Sequence, residues 1–353
     1  MAMGHTATRW KTLGIAFLSV FIGSLYKLGF LRVFTEPSWS MQTQVDSLEG
    51  ITALVTGANS GLGLHTAAKL CSKGATVICG VRSKTKFNEA LDELQKLGCD
   101  PKNLKFPSEL NLAEPTSVQQ FVKATLQSLS GRTLDLLINN AGIMGTNPAH
   151  NSQGIEMQMA TNHFGHALLT SLLMSALLES PNPRIVFHAS SMHEFTDTIR
   201  YQDGAPHYNN SALNPFDIYM DTKLANMLYT SALGYAAHDT KLKVLSCHPG
   251  WTWTNLQRRS VIGKFLDLFS RVLGMHPSHG SESVLRAALD PVLENMSYVG
   301  PRYKLFGSPI VVSPQPYVFD IRKVAQFVRF TDQYMYQQIP SVPSSLYNFP
   351  RMR

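Results

Sequence analysis

The sequence predicts an α/β fold, a doubly wound parallel sheet in a single domain that follows an N-terminal hydrophobic segment. Short apolar runs alternate with longer segments of helical periodicity, and the runs are apolar on both faces. This alternation is typical of a parallel sheet covered by helices on each side. The predicted strands are residues 51–55, 76–79, 134–138, 184–187 and 243–246. The predicted helices are residues 62–71, 87–97, 115–129, 156–178, 219–237 and 280–290.

Length and composition favour one large domain with short extensions. The chain has 353 residues, of which 44% are hydrophobic and 16% charged, so it can bury a large core and does not resemble a disordered protein. We predict a hydrophobic segment at 1–34, a linker at 35–48, a catalytic domain at 49–335 and a tail rich in proline and serine at 336–353.

Net charge and cysteine spacing argue against two classes of function. The formal net charge is +7, but four basic residues precede the first acid, Glu36, so the rest of the chain is only weakly positive. This balance does not predict nucleic-acid binding. The four cysteines are Cys71, Cys79, Cys99 and Cys247. They are scattered, and no histidine pair has metal-ligand spacing, so we expect no metal site and reduced, structural thiols.

The N-terminal segment is predicted to anchor the protein in a membrane. Residues 12–26 are uncharged and apolar, which at a helical rise spans about 22 Å. If the Lys27 side chain snorkels, the helix can continue to Phe34 and cross a bilayer with a tilt. A cleaved signal peptide is less favoured, because no small-residue cleavage site follows the segment. An organelle transit peptide would be amphipathic, although the acid-free composition keeps that alternative open.

A glycine-rich turn joins the first predicted strand to the first helix and predicts a nucleotide site. Its glycines let the backbone approach a pyrophosphate, and the helix N-terminus offers unpaired N–H groups and a positive dipole end. The alternative is that these glycines only make a turn. The residues of this turn that we expect to contact a cofactor are Gly57, Asn59, Ser60, Gly61, Leu62 and Gly63.

Arg82 follows the second predicted strand, where a carboxylate would bind the ribose 2′-hydroxyl of NAD. An arginine at this position can grip a 2′-phosphate with two hydrogen bonds. We therefore expect NADP(H) in preference to NAD(H), with Lys84 and Lys86 adding positive charge. The alternative is an ordinary exposed arginine at a helix start.

Six motifs together resemble the short-chain dehydrogenase/reductase family. They occur in the family's order and are the glycine turn, Asn139-Asn140-Ala141-Gly142, Thr161-Asn162-His163, Ser190-Ser191, Tyr219-x-x-x-Lys223 and His248-Pro249-Gly250. The resemblance covers roughly residues 49–330, implies a Rossmann-type fold, and is nearest to the retinol dehydrogenase-like branch. A homodimer is a further expectation, because dimers are common in the family.

The resemblance also implies the catalytic roles. Tyr219 would be the general acid in carbonyl reduction, and Lys223, one helical turn away, would lower the pKa of the phenol and orient the nicotinamide ribose. Ser191 would bind the substrate oxygen, with Ser190 as the adjacent alternative. Asn162 would hold a water that relays protons from Lys223. For each residue taken singly, a structural role is the alternative.

Further cofactor contacts are carried over in the same way. Asn111 stands where the family usually has an aspartate that contacts the adenine amine, and its amide oxygen can still accept that hydrogen bond. The remaining residues assigned to the cofactor are Leu112, Asn140, Ala141, Gly142, Pro249, Gly250, Thr252 and Thr254. His163, His166 and His248 are expected to be packed or hydrogen-bonded.

Two variable stretches, residues 192–218 and 251–275, are expected to select the substrate. The second has an apolar stripe at helical spacing, which predicts either an ordinary packed helix or a cover for a lipophilic substrate that also touches the bilayer. We predict an NADP(H)-dependent oxidoreductase that interconverts a lipophilic ketone or aldehyde with its alcohol, on a membrane such as that of the endoplasmic reticulum. The alternatives are a carbon–carbon double-bond reductase and a non-catalytic NADP-binding scaffold.

Overall fold

The computed structural model describes residues 39–147, 149–199, 214–252 and 274–338. The strands are β1 (Thr52–Thr56), β2 (Thr76–Gly80), β3 (Leu104–Lys105), β4 (Leu136–Asn139), β5 (Arg184–His188), β6 (Lys243–Cys247), β7 (Tyr298–Pro301) and β8 (Pro309–Val311). The α-helices are α1 (Met41–Gln44), α2 (Gly61–Ser72), α3 (Lys84–Lys96), α4 (Pro115–Leu129), α5 (Met157–Met159), α6 (Gly165–Leu178), α7 (Pro215–Ala236), α8 (Pro277–Leu289) and α9 (Ile321–Gln338).

The described strands form one sheet in the order β3-β2-β1-β4-β5-β6-β7-β8. Neighbours from β3 to β7 pair in parallel, and β8 pairs antiparallel to β7. The first strand, β1, therefore lies in the middle of the sheet beside β4. Strands β2 and β3 extend the sheet on one side, and β4 to β8 extend it on the other. Ligands of doubly wound sheets bind at such a reversal, outside the carboxyl ends of the strands. This confirms the predicted fold class.

Buried apolar residues form two clusters, one on each face of the sheet. Leu54 of β1 belongs to the cluster with helices α4, α6, α7 and α9, while its neighbour Val55 belongs to the cluster with α2, α3 and α8. Successive strand side chains point to opposite faces, so a sheet covered on both sides needs apolar residues throughout. This requirement explains the unbroken apolar runs of the sequence.

The segment just before β1, predicted to be a linker, packs against the domain. Trp39, Met41 and Leu48 are each less than 10% exposed and belong to the apolar cluster that includes α2, α3 and α8. The Met41 backbone N–H donates to Glu282 at 3.0 Å, and the same carboxylate accepts from Lys69 at 2.6 Å. Residues 39–48 are therefore tied to helices α2 and α8.

The described residues include no helix long and apolar enough to cross a membrane. Several predictions lie outside the described residues: the anchor at 12–34, Thr254, the apolar stripe at 261–273, part of the first variable stretch at 200–213, and most of the tail.

Two cysteines are joined by a disulfide, which corrects the expectation of reduced thiols. Cys71, near the end of α2, pairs with Cys99, which follows α3 and lies 28 residues later in the chain. Cys79 and Cys247 are free and buried, as predicted. The sequence separation carried no pairing signal, because the two helix ends meet only when α2 and α3 pack on the same face of the sheet.

Candidate active site

The glycine-rich turn between β1 and α2 is packed too tightly for side chains. A Cβ at Gly63 would lie 2.3 Å from the Gly57 carbonyl oxygen and 2.5 Å from the Asn140 amide nitrogen. Gly57 and Gly61 have positive φ angles of 70° and 54°, which favour glycine. The local backbone thus requires glycine at three of the predicted positions. Gly61, Leu62 and Gly63 at the start of α2 line the cavity.

Asn140 connects this turn to the centre of the sheet. Its side-chain nitrogen donates to the Thr56 carbonyl at 2.8 Å, and its oxygen lies 3.0 Å from Nδ1 of His188. The backbone N–H groups of Asn140 and Ala141 both donate to the Thr56 hydroxyl at 2.9 Å. These bonds hold the carboxyl ends of β1, β4 and β5 in one arrangement around the site.

Tyr219 and Lys223 lie together on α7, as the four-residue spacing predicts. Tyr219 is 6% exposed and Lys223 is 4% exposed. The Lys223 ammonium donates to the His188 carbonyl at 2.9 Å. It lies 5.4 Å from the centre of the Tyr219 ring. Both residues line the same cavity.

Burial shifts the pKa of both groups. It raises the pKa of Tyr219 to about 12, with a smaller opposing effect from the Ser190 side chain. It lowers the pKa of Lys223 to about 8. The expected lowering of the phenol pKa by Lys223 is not seen in this arrangement, because burial raises that pKa. Tyr219 is accordingly a protonated phenol at neutral pH.

The serine pair follows β5 and begins a 3₁₀ turn at Ser191–Phe195. Ser190 caps this turn, since its hydroxyl accepts from the Met192 N–H at 3.1 Å. Its side chain also interacts with the Tyr219 hydroxyl. Ser191 lines the cavity beside it. The structure therefore places both serines at the site, with the described contact to the phenol made by Ser190.

Asn162 lies in a π-helical turn, Ala160–Phe164, which joins α5 to α6. Its amide oxygen accepts from the Ile143 N–H at 2.8 Å, and its amide nitrogen donates to the Ile143 carbonyl at 2.8 Å. The same nitrogen also contacts the Thr222 hydroxyl at 3.1 Å. π-Helical turns often occur at functional sites. Here the turn aims a fully buried amide at the loop after β4, behind the cavity wall.

Most of the predicted residues line one cavity of about 780 Å³ at the carboxyl ends of the strands. Those that line it are Gly57, Asn59, Ser60, Gly61, Leu62, Gly63, Arg82, Asn111, Leu112, Asn140, Ala141, Gly142, Ser191, Tyr219, Lys223, Pro249, Gly250 and Thr252. Asn162 is not among the lining residues. The hydroxyl of Thr252 donates to the Pro249 carbonyl at 2.9 Å, so it supports the backbone there.

Two of the motif histidines, His163 and His166, have hydrogen bonds to protein groups through both ring nitrogens. The two ring nitrogens of His163 lie 3.2 Å from Asn226 and 3.1 Å from Thr331. Those of His166 lie 3.0 Å from the Asn162 carbonyl and 2.9 Å from the Thr56 hydroxyl. Among the described residues, no group of three metal-binding side chains occurs.

Comparison with known proteins assigns the family. The family model for short chain dehydrogenase matches residues 51–201. Retinol dehydrogenase 14 of Homo sapiens is 36% identical over 267 residues, which cover 71% of this chain and 77% of that protein. The chain belongs to the short-chain dehydrogenase/reductase family. Short-chain dehydrogenase TIC 32 A, chloroplastic, of Brassica napus is 31% identical over 288 residues, covering 76% of this chain and 84% of that protein.

Solved structures agree with this short-chain dehydrogenase/reductase assignment. An uncharacterised protein of Mycobacterium Paratuberculosis is 30% identical, with a TM-score of 0.67, and the match covers 84% of this chain and 97% of that one. The 3-ketoacyl-(acyl-carrier-protein) reductase of Brucella melitensis, complexed with NADH, has a TM-score of 0.53 at 23% identity and shares the fold. The chain is thus an alcohol/carbonyl oxidoreductase of the retinol dehydrogenase-like type.

Ten apolar residues of the short-chain dehydrogenase/reductase cavity were not predicted as site residues. They are Val81, Leu110, Ile143, Met144, Met157, Ala189, Met192, Phe216, Trp251 and Leu305. Phe216 and Met192 fall in the first variable stretch and Trp251 begins the second. Their place in these stretches was the sequence signal that could have identified them as site residues. The others come from loops and a helix start whose meeting point depends on the tertiary fold.

Proposed function

We propose that this protein is an NADP(H)-dependent oxidoreductase that interconverts a lipophilic ketone or aldehyde with its alcohol. The observation that carries the proposal is the convergence of Tyr219, the serine pair and Lys223 on one apolar-walled cavity beside the glycine turn. Each group supplies a different requirement of carbonyl reduction: a proton, a hydrogen bond to the substrate oxygen, and a buried cation.

Tyr219 provides the proton. Because burial holds the pKa of its phenol at about 12, the residue keeps its proton at neutral pH and can donate it to a carbonyl oxygen as negative charge develops there. A bound nicotinamide cofactor supplies the hydride to the carbonyl carbon. The hydroxyl of Ser191, or of Ser190 beside it, donates a second hydrogen bond to the same oxygen and fixes its position.

Lys223 supplies positive charge next to the phenol. Burial lowers the pKa of its ammonium to about 8, so the charged form still dominates at pH 7. The charge stabilises the tyrosinate that forms when the proton leaves. Asn162 supports the loop after β4 through Ile143, and in our proposal its backbone region holds the water that returns a proton through Lys223.

The cavity has features that fit an NADP(H) molecule. The tightly packed Gly57 and Gly63 leave room only for backbone near the start of α2, where a pyrophosphate can accept N–H bonds. Arg82 lines the cavity where the adenosine ribose would lie, and α3 begins two residues later with Ser83 as its cap. An arginine and a helix N-terminus both attract a 2′-phosphate. Lys86, also predicted to help, pairs with Glu89 at 2.7 Å.

The apolar part of the cavity lining supports a lipophilic substrate. Ile143, Met144, Met157, Phe216 and Trp251 give apolar surface to the same cavity that Tyr219 lines. Methionine side chains adapt to irregular apolar shapes. The retinol dehydrogenase name of the relatives agrees with an apolar substrate. We assign a substrate class, a lipophilic aldehyde, ketone or alcohol, and not a single compound.

Membrane attachment is a separate part of the proposal and rests on the sequence alone. Residues 12–26 are uncharged and apolar, and a continuation to Phe34 gives a length that can cross a bilayer. We propose a membrane-associated enzyme, with the endoplasmic reticulum preferred over another organelle. We also propose a homodimer as the assembly, to be measured by light scattering in detergent.

The test is turnover by the purified protein and its Tyr219→Phe variant with NADPH and NADH across a panel of lipophilic aldehydes and ketones. We expect NADPH-dependent alcohol formation that falls by at least about 100-fold in the variant. Arg82→Ala should weaken NADPH binding and leave NADH binding unchanged. A product with its carbonyl intact and a reduced double bond would identify a double-bond reductase, and NADPH binding without turnover would identify a scaffold.

A further inference from the structure

Behind the serine pair lies a group of three buried rings that the proposed reaction does not use. His193 belongs to the 3₁₀ turn after β5, His248 follows β6, and Tyr298 begins β7. None is more than 2% exposed. The Tyr298 ring lies 5.5 Å from the His193 ring, edge to face, and 5.2 Å from the His248 ring, measured between centroids. The three rings therefore form one contiguous cluster.

Each ring carries a polar atom that lacks a hydrogen-bond partner among the described residues. These atoms are Nε2 of His193, Nδ1 of His248 and the hydroxyl of Tyr298. An unsatisfied buried polar group costs about 1–3 kcal/mol, so three in contact call for an explanation. An internal water with two to four polar partners is the usual explanation.

The tautomer of His193 follows from its other contact. Its Nδ1 lies 2.6 Å from the Ser190 carbonyl oxygen, which can only accept, so Nδ1 carries the proton. Burial lowers the pKa of the ring, which keeps it neutral and leaves Nε2 as an acceptor. Tyr298 is the adjacent donor, because burial raises the pKa of its hydroxyl. Tyr298 thus offers a donor and His193 an acceptor within the same buried ring cluster.

The Ser190 carbonyl is held twice by the same residue, since it also accepts the His193 backbone N–H at 3.1 Å. The Tyr317 hydroxyl in turn lies 2.8 Å from the His193 carbonyl and 2.6 Å from that of Thr196. The turn that carries both serines is therefore held by hydrogen bonds, and the His193 ring contacts the Ser190 carbonyl directly.

We propose that His193 is a positioning residue for the serine pair, held in its Nδ1–H tautomer by a buried water that links its Nε2 to Tyr298 and His248. The inference rests on the proposed function, since it names what orients the serines in that reaction. His193 touches neither substrate nor cofactor in this role. It acts through the Ser190 carbonyl.

The test uses two variants of His193, each of which places an amide group near one of the two ring nitrogens. Asparagine places an N–H near Nδ1, and glutamine places an amide near Nε2. We expect His193→Asn to keep kcat within about threefold of the wild type and His193→Gln to lower it about tenfold, with the NADPH Kd within about twofold in both. Equal losses in the two variants, or losses that follow the NADPH Kd, would overturn the proposal.

Tyr298→Phe tests the buried link. It should lower kcat about threefold in the wild type and have no additional effect in His193→Asn, which has no Nε2 equivalent. Additive losses would contradict the link to Tyr298. The control is Tyr334→Phe, which also removes a buried tyrosine hydroxyl but lies in α9 against Phe164, and it should leave kcat unchanged.

A spectroscopic measurement separates this inference from the proposed function. The ¹⁵N spectrum of the imidazoles, assigned for His193 by its Asn variant, should show Nδ1 protonated and Nε2 bare. Protonation at Nε2 would refute the inference whatever the enzyme reduces. If the wild type reduces no carbonyl while the tautomer is as expected, the proposed function fails and the tautomer assignment stands.

Discussion

The Lys223 ammonium lies 5.4 Å from the centre of the Tyr219 ring, one helical turn along α7, and donates to the His188 carbonyl at 2.9 Å. The lysine is thus fixed by the carboxyl end of β5 and not by the phenol. Both groups are almost fully buried, and burial moves their pKa values in opposite directions, to about 12 for Tyr219 and about 8 for Lys223.

This relationship predicts the pH dependence of carbonyl reduction. Because the pKa of Lys223 is lowered to about 8, its charge is present below that pH and lost above it. We expect kcat/KM for reduction to fall as the pH rises through about 8 and the falling limb to disappear in Lys223→Arg, whose charge persists. A wild-type profile that stays flat from about pH 7 to 9 would contradict this assignment.

Gly63→Ala is expected to damage both stability and cofactor binding. The added Cβ would lie 2.3 Å from the Gly57 oxygen, whereas one at Gly142 would be 3.4 Å from its nearest neighbour, Asn162. Urea unfolding should show a loss of about 1–3 kcal/mol for Gly63→Ala and less than about 1 kcal/mol for the control Gly142→Ala. NADPH binding by the Gly63 variant should weaken in fluorescence titration. Equal stabilities of the two variants would refute the packing argument.

Phe216 is expected to limit substrate shape beside the carbonyl. It lies one turn before Tyr219 on α7 and lines the cavity, with its ring 3.3 Å from where a Cβ at Gly145 would be. The buried Gln158 amide holds this arrangement, accepting from the Gly145 N–H at 3.0 Å and donating to the Pro215 carbonyl at 2.9 Å. The ring therefore has little freedom to move aside.

Phe216→Ala should raise the kcat/KM ratio of bulky aryl ketones to straight-chain aldehydes about tenfold. The matched control is Phe195→Ala, because Phe195 is 60% exposed and lies outside the cavity lining. The same shift in both variants would show that the ratio does not report on this wall.

The buried His163 predicts a loss of stability in acid. Burial lowers its pKa from 6.5 to about 3, so the native ring stays neutral while the unfolded one protonates. A base with a lowered native pKa stabilises the fold above pH 6.5 and loses that contribution as the pH falls toward the native value. From this residue we expect a loss on the order of 1–3 kcal/mol between about pH 6.5 and 4.

His163→Gln can retain hydrogen bonds to Asn226 and Thr331 and should make the unfolding free energy less dependent on pH in this range. The control is His238→Gln, since His238 is exposed beside Asp239. Urea midpoints at several pH values make the comparison. A pH dependence as steep in the His163 variant as in the wild type would show that other groups cause the acid loss.

Local pattern predicted the elements that form the cofactor side of the site. The runs at β1, β2, β4, β5 and β6 are mostly apolar, and their observed ends lie within two residues of the predicted ones. The strands β7 and β8 and the helices α1 and α9 were not predicted, and no bounds were predicted for the two-residue strand β3. β3 is too short to have a period, and α9 is defined by packing against α7 through residues such as Phe327.

The sequence alone determined the doubly wound fold, the family and many of the residues that line the cavity, because the required signals are local: apolar runs, glycines where no Cβ fits, and a tyrosine and lysine at helical spacing. Only the tertiary structure decided the direction of the Tyr219 pKa shift, the contact between Ser190 and the phenol, the Cys71–Cys99 disulfide and the buried cluster around His193. Each of these depends on distances and solvent exclusion between segments that are far apart in the chain. The spacing of residues along the sequence does not give those distances.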